Sequence, residues 1–63
     1  MNKVFSIGQV VRVIGVGIIG KIVNVNRTNR NNDIIYQLQI PNDPYKRWFL
    51  AEDLELFHHM ELA

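Results

Sequence analysis

The chain has no cysteine, so it can form neither a disulfide nor a thiolate zinc site. Hydroxyl nucleophiles are scarce, because Ser6 and Thr28 are the only serine and threonine. The two histidines, His58 and His59, are adjacent, so in an extended segment their side chains point in opposite directions, and no third ligand is near in sequence. We therefore expect no metal, no cofactor and no catalysis within one subunit.

Long apolar runs are also absent. The run around 14–19 (IGVGII), bounded by Arg12 and Lys21, is far shorter than the roughly 20 residues that a membrane helix needs. The first five residues contain one lysine, but the unbroken apolar segment of a secretory signal does not follow. The lack of cysteine agrees with a reducing compartment. We expect a cytoplasmic protein that does not enter a membrane.

The length of 63 residues allows one domain. A domain of this size buries only about 60% of the surface that its unfolded chain exposes, and it often needs a disulfide, a metal or a partner subunit. Since the first two are excluded, a well-packed core or self-association must compensate. The hydrophobic fraction of 48% is sufficient for a core and argues against disorder.

Charge is distributed unevenly along the chain. All seven basic residues lie before Trp48 and are opposed there only by Asp33 and Asp43, so residues 1–47 carry +5, whereas residues 48–63 carry four acidic residues and −4. This asymmetry suggests an anionic partner for the main part of the domain. The alternative is that the charges only solvate the surface or pair with one another, as the net charge of +1 suggests.

Short segments rich in β-branched residues alternate with turn residues and predict strands at 9–14, 18–25, 34–40, 45–50 and 54–57. The third has the clearest alternation, with Ile34, Tyr36, Leu38 and Ile40 on one face and Gln37 and Gln39 on the other.

The connections have their own signals. Gly15 and Gly17 predict a tight turn with positive φ, and Gly20 predicts a bulge or bend inside the second strand. The polar segment 26–33 predicts a mobile hairpin tip, residues 41–44 (PNDP) a turn, and residues 51–53 (AED) a 3₁₀ turn. The pattern thus predicts one small all-β barrel over residues 1–57, with residues 58–63 as a C-terminal tail.

Three segments carry a family resemblance. Residues 5–13 (FSIGQVVRV) resemble the opening strand of SH3-like barrels, residues 17–25 (GIIGKIVNV) resemble part of the KOW motif, and residues 47–55 (RWFLAEDLE) resemble the strand, 3₁₀ turn and last strand that end many SH3-like barrels. The layout is also similar to that of the PsaE-type photosystem I subunit and of the plasmid-encoded dihydrofolate reductase. The resemblance implies a five-stranded SH3-like barrel.

Two binding functions fit these features, and the sequence does not decide between them. The first is contact with nucleic acid, in which cations hold phosphates and an exposed aromatic stacks on a base. The residues expected to form this surface are Lys21, Arg27, Arg30, Tyr45, Lys46, Arg47 and Trp48. One of the two aromatics Trp48 and Phe49 should face the core and leave the other exposed.

The second is a protein-interaction or homo-oligomeric assembly subunit that uses the aromatic residues and an exposed strand edge. The resemblance to the plasmid reductase adds a remote third function, an enzyme whose pore forms only in an oligomer. The signature Val-Gln-Ile-Tyr of that enzyme is replaced here by residues 46–49 (KRWF).

Overall fold

The structure is an open sheet of five antiparallel strands. It is a computed structural model and describes residues 4–28 and 31–57. The strands are β1 (Val10–Val13), β2 (Ile19–Arg27), β3 (Ile34–Gln39), β4 (Arg47–Leu50) and β5 (Leu54–Leu56), and a 3₁₀ turn (Ala51–Asp53) precedes β5. The strand order is β4-β3-β2-β1-β5, so β4 and β5 are the two edges. The predicted all-β class, five strands and 3₁₀ turn are confirmed, but the sheet is not closed into a barrel.

The strand boundaries differ from the predicted ones mainly at the β2–β3 hairpin. Asn26 and Arg27 belong to β2, where Arg27 pairs with Ile34, instead of lying in a hairpin tip. The connection that remains begins at Thr28, whose N–H donates to the Asp33 carbonyl at 2.8 Å, while its hydroxyl accepts from the Asp33 N–H at 3.1 Å. Backbone pairing therefore overrides the polar composition of this segment. The predicted C-terminal tail lies outside the described residues.

The turns follow the predicted glycine and asparagine positions. Gly15 and Gly17 have φ values of +94° and +75° in the β1–β2 connection, as expected for residues without a Cβ. Between β3 and β4, the Asp43 N–H donates to the Ile40 carbonyl at 3.1 Å across Pro41 and Asn42, and Asn42 has φ +66°. Proline followed by a residue with positive φ is typical of a type II turn.

The core lies on one side of the sheet. Among residues 4–28 and 31–57 it consists of seven buried side chains: Phe5, Val11, Val13, Ile22, Tyr36, Leu38 and Leu54. Four strands contribute to it, because inward and outward positions alternate along each of them. The predicted core face of β3 is confirmed, since Tyr36 and Leu38 are fully buried and Ile34 and Ile40 pack against the cluster.

Gly20 lies where the start of β2 packs closely against the end of β3. A Cβ built on Gly20 would lie 3.0 Å from Cγ1 of Ile40, 3.1 Å from the carbonyl oxygen of Gln39 and 3.2 Å from Cβ of Leu38. A side chain at this position would need these neighbours to shift by a few tenths of an ångström, so the glycine allows the end of β3 to lie close to the start of β2. The bulge expected at this position lies instead between Ile22 and Asn24, where the β2–β3 register shifts.

Tyr36 connects the N-terminal segment to the sheet. Its ring is 1% exposed and meets the Phe5 ring edge to face, with centroids 5.4 Å apart. Its hydroxyl accepts a hydrogen bond from the Phe5 N–H at 2.9 Å. A buried backbone donor needs such a partner, because an unsatisfied one costs about 1–3 kcal/mol.

Replacing Tyr36→Phe should therefore lower the free energy of unfolding by about 1–3 kcal/mol, because the Phe5 N–H loses its acceptor while the ring stays. Tyr45→Phe removes the same hydroxyl from a side chain that is 70% exposed and should change stability by less than about 0.5 kcal/mol. Urea denaturation of both variants makes the comparison. Equal stability losses would contradict the proposed importance of the buried hydrogen bond.

Candidate functional site

The outward side of β2, β3 and β4 brings together an aromatic residue, amides and a lysine. Trp48 lies directly opposite Gln37, which lies opposite Asn24 on β2, and one pair further along Gln39 lies opposite Lys21. Residues paired across antiparallel strands point to the same side of the sheet. We call the surface formed by Lys21, Asn24, Gln37, Gln39 and Trp48 the Trp48 face.

The structure decides which of the two adjacent aromatics is exposed. Phe49 lies opposite Tyr36, is half-buried and packs against the core. Trp48 is 41% exposed on the outward side. Tyr45 precedes β4 and is also exposed, and its N–H donates to Oδ1 of Asp43 at 2.9 Å. The start of β4 thus presents two aromatic rings to solvent, and both belong to the surface that the sequence predicted.

Both the oxygen and the nitrogen of the Gln37 side-chain amide make hydrogen bonds. Its Oε1 accepts from Nδ2 of Asn24 at 3.3 Å, and its Nε2 donates to the Lys46 carbonyl at 3.4 Å. Each amide retains further donor or acceptor capacity, since an amide NH₂ has two hydrogens and an amide oxygen two lone pairs. The centre of the Trp48 face is therefore an oriented pair of amides beside an indole ring.

The Trp48 face has no negative charge of its own. The strands β2, β3 and β4 contain no aspartate or glutamate. The acidic residue of the adjacent turn, Asp43, is already engaged, because its Oδ2 lies 3.3 Å from Nε of Arg47 and its Oδ1 accepts from the Tyr45 N–H. Lys21 and Lys46 are both exposed near this surface. Neither lysine forms an ion pair within the described residues, so both are unpaired cations beside this surface.

A shallow groove borders the Trp48 face at Lys21. It encloses about 600 Å³ and is lined by Lys21, Gln39, Ile40 and the turn residues 41–44. Its lining is mostly apolar, with the lysine and the Asp43 carboxylate as its charged groups. The groove lies at the same end of the sheet as Lys46 and Arg47, because Leu38, the neighbour of Gln39, pairs with Arg47.

The predicted cations do not form one patch. Arg27 lies at the opposite end of β2 from Lys21, roughly 20 Å away along the strand, and its Nη1 donates to the Asn32 carbonyl at 3.5 Å. Arg47 lies opposite Leu38, on the other side of the sheet from Trp48, and pairs with Asp43. Arg30 lies outside the described residues. Apart from Arg47, which is paired on the other side, the predicted residues at this end of the sheet are Lys21, Tyr45, Lys46 and Trp48.

A second exposed surface is apolar. Ile14, Val16 and Ile18 lie in the β1–β2 connection, Ile19 begins β2, and all four are exposed, Val16 by 66%. We call these four residues the aliphatic loop. Beside it, Arg12 of β1 is neutralised by Glu55 of β5, whose Oε2 accepts from the arginine Nε at 2.8 Å. The aliphatic loop and Lys21 thus lie at the same end of β2, with the loop on the β1 side and the amides and cations towards β4.

The comparisons with protein-family models, curated proteins and solved structures gave no match for this chain. Within residues 4–28 and 31–57, no group of three or more histidine, cysteine or acidic side chains is placed to hold a metal ion. The same residues include no helix of sufficient length and hydrophobicity to cross a membrane. His58 and His59 lie outside the described part of the chain.

Asn24, Gln37 and Gln39 were not among the predicted site residues. The alternation of β3 did place Gln37 and Gln39 on its polar face, but such residues ordinarily only solvate a strand. They matter for the site because Trp48 lies opposite Gln37. That position depends on the register of β3 against β4, whose paired residues are 9 or more positions apart in the chain. The sequence carries no direct signal for that register.

The positive potential at Trp48 can be measured, because it is the only tryptophan in the chain. After each quenching constant is divided by that of a free tryptophan derivative, we expect iodide to quench its fluorescence more strongly than caesium does, since nearby lysines attract the anion and the surrounding strands contain no acid. Lys46→Glu should reduce or reverse the difference, whereas Arg12→Glu, an equal change of charge on β1, should have less effect. Stronger quenching by caesium in the unmodified protein would contradict the expected potential.

Proposed function

We propose that this protein is a non-catalytic nucleic-acid-binding module of the SH3-like barrel class. The five-stranded order with a 3₁₀ turn before the last strand supports the class assignment. The observation that carries the function is the Trp48 face, where an exposed indole, oriented amides and Lys21 occur together on strands without a carboxylate, and Lys46 directly precedes β4. Aromatic rings can stack on bases, and lysines can contact phosphates.

The proposed contact surface includes only some of the basic residues of the chain. Arg12 and Arg47 are paired with Glu55 and Asp43, so their charges are largely neutralised locally. Lys21 and Lys46 make no ion pair within the described residues and remain available for phosphates. A surface with two such cations predicts modest affinity that depends on salt, with the stacking ring as its main source of binding energy.

Fluorescence titration with short oligonucleotides of DNA and RNA at low salt tests this function. We expect binding that weakens as salt rises. Trp48→Leu should reduce the affinity by roughly tenfold, since one stacked base contributes about 1–3 kcal/mol. Because this variant has no tryptophan emission, its binding is followed by the anisotropy of a labelled oligonucleotide. Lys21→Gln and Lys46→Gln should each reduce the slope of log K against log salt by about 0.7–0.9.

Arg12→Gln is the matched control for the lysine variants. It removes the same charge from the chain, but its guanidinium is bound to Glu55 and lies on β1, three strands from Trp48 in the sheet. It should leave the slope nearly unchanged. If no DNA or RNA, single- or double-stranded, binds at low salt, the proposed function is wrong.

The aliphatic loop favours a second candidate, self-association as an assembly subunit. Four neighbouring exposed aliphatic residues are a feature of interaction surfaces. The domain is also small, with seven buried core residues in the described part and no cysteine for a disulfide. A second copy that covers the loop would bury this surface without any change in the strands.

Sedimentation at micromolar concentration tests this candidate. We expect association that depends on protein concentration and is nearly insensitive to salt, because apolar burial drives it. Val16→Ser should weaken it, whereas Val25→Ser, which changes an exposed valine at the far end of β2, should not. A monomer at all concentrations would contradict self-association and would also exclude an enzyme whose pore needs several copies.

A further inference from the structure

We propose that the Trp48 face binds single-stranded nucleic acid in preference to a duplex, and that the amide of Gln37 selects among bases. This inference rests on the proposed function and specifies its ligand. It depends on three observations: the position of the indole ring, the restraint on the Gln37 amide and the separation of the lysines.

The position of Trp48 requires an unpaired base. Its ring lies on the outward side of β4, an edge strand, and the adjacent positions Gln37 and Asn24 continue as the surface of the sheet. In a duplex both faces of each base are covered by its stacked neighbours, so a ring on a sheet surface can reach only phosphates and sugars. In a single strand the base can rotate out and stack on the ring.

The Gln37 amide is oriented before any ligand binds. Asn24 donates to its oxygen and the Lys46 carbonyl accepts from its nitrogen, so the plane of the amide is set by two neighbouring strands. The second hydrogen on Nε2 and the second lone pair on Oε1 remain for a ligand. A donor and an acceptor side by side match the edge of a base, and the fixed orientation permits discrimination between bases.

The separation of the lysines sets the length of the bound segment. Lys21 lies on β2 and Trp48 on β4, two strands apart, which corresponds to roughly 10 Å across the sheet. Lys46 directly precedes β4, the strand that carries Trp48. Phosphates on either side of a stacked base can therefore approach one lysine each, and the face accommodates roughly two or three nucleotides, as sheet surfaces that stack bases do.

Competition among short homopolymers of the four bases, as single strands and as matched duplexes, tests the inference. We expect single strands to bind at least about tenfold more tightly than duplexes, and one base to be preferred. Gln37→Met, which keeps the side-chain length but removes the amide, should reduce that preference by about tenfold. Its salt dependence should stay unchanged, because the lysines are intact.

Gln39→Met is the matched control, since Gln39 lies on the same face of the same strand and its side chain makes no hydrogen bond within the described residues. It should retain the base preference. Urea denaturation of both variants establishes that they fold. Equal affinity for duplexes, or an unchanged base preference in folded Gln37→Met, would overturn this inference while leaving nucleic-acid binding intact. A failure of every oligonucleotide to bind would overturn both proposals.

Discussion

The buried Tyr36 is the residue on which the arrangement of the sheet depends. Its hydroxyl accepts a hydrogen bond from the Phe5 N–H, and its ring contacts the Phe5 ring edge to face. Its burial in the middle of β3 also fixes which side of that strand faces the core. Because side chains alternate along a strand, an inward Tyr36 requires an outward Gln37. Pairing with β4 then requires Trp48 to lie on the same outward side, so the candidate site follows from the packing of the core.

The small net charge conceals a division of charge across the surface. Arg12 is paired with Glu55 at the β1–β5 end, and Arg47 with Asp43 in the turn before β4. These pairs are exposed and contribute little to stability, about 0–1 kcal/mol each. Their effect is to neutralise two of the arginines, which leaves the lysines near Trp48 as the cations of a surface without acids. Unpaired cations therefore lie near Trp48 on a protein with a net charge of only +1.

The two surfaces make different physical demands on a partner. The Trp48 face offers stacking, hydrogen bonds and cations, which match a single nucleic-acid strand. The aliphatic loop, with Val16 at its tip, offers only apolar area, which matches a protein surface. They share no residue, but they adjoin on β2, where Ile19 of the loop lies two residues before Lys21 of the face.

Local sequence signals were sufficient to predict the elements that depend on adjacent residues. Alternation predicted β3 and its core face, proline, asparagine and glycine predicted the turns, and residues 51–53 predicted the 3₁₀ turn, because each depends on the backbone preferences of adjacent residues. The sequence also predicted most of the residues near the start of β4. Only the tertiary structure decided that Trp48 and not Phe49 is exposed, that Gln37 stands beside it, and that Arg47 is paired with Asp43. Those facts depend on register and on contacts between segments distant in the chain, which local preferences do not encode.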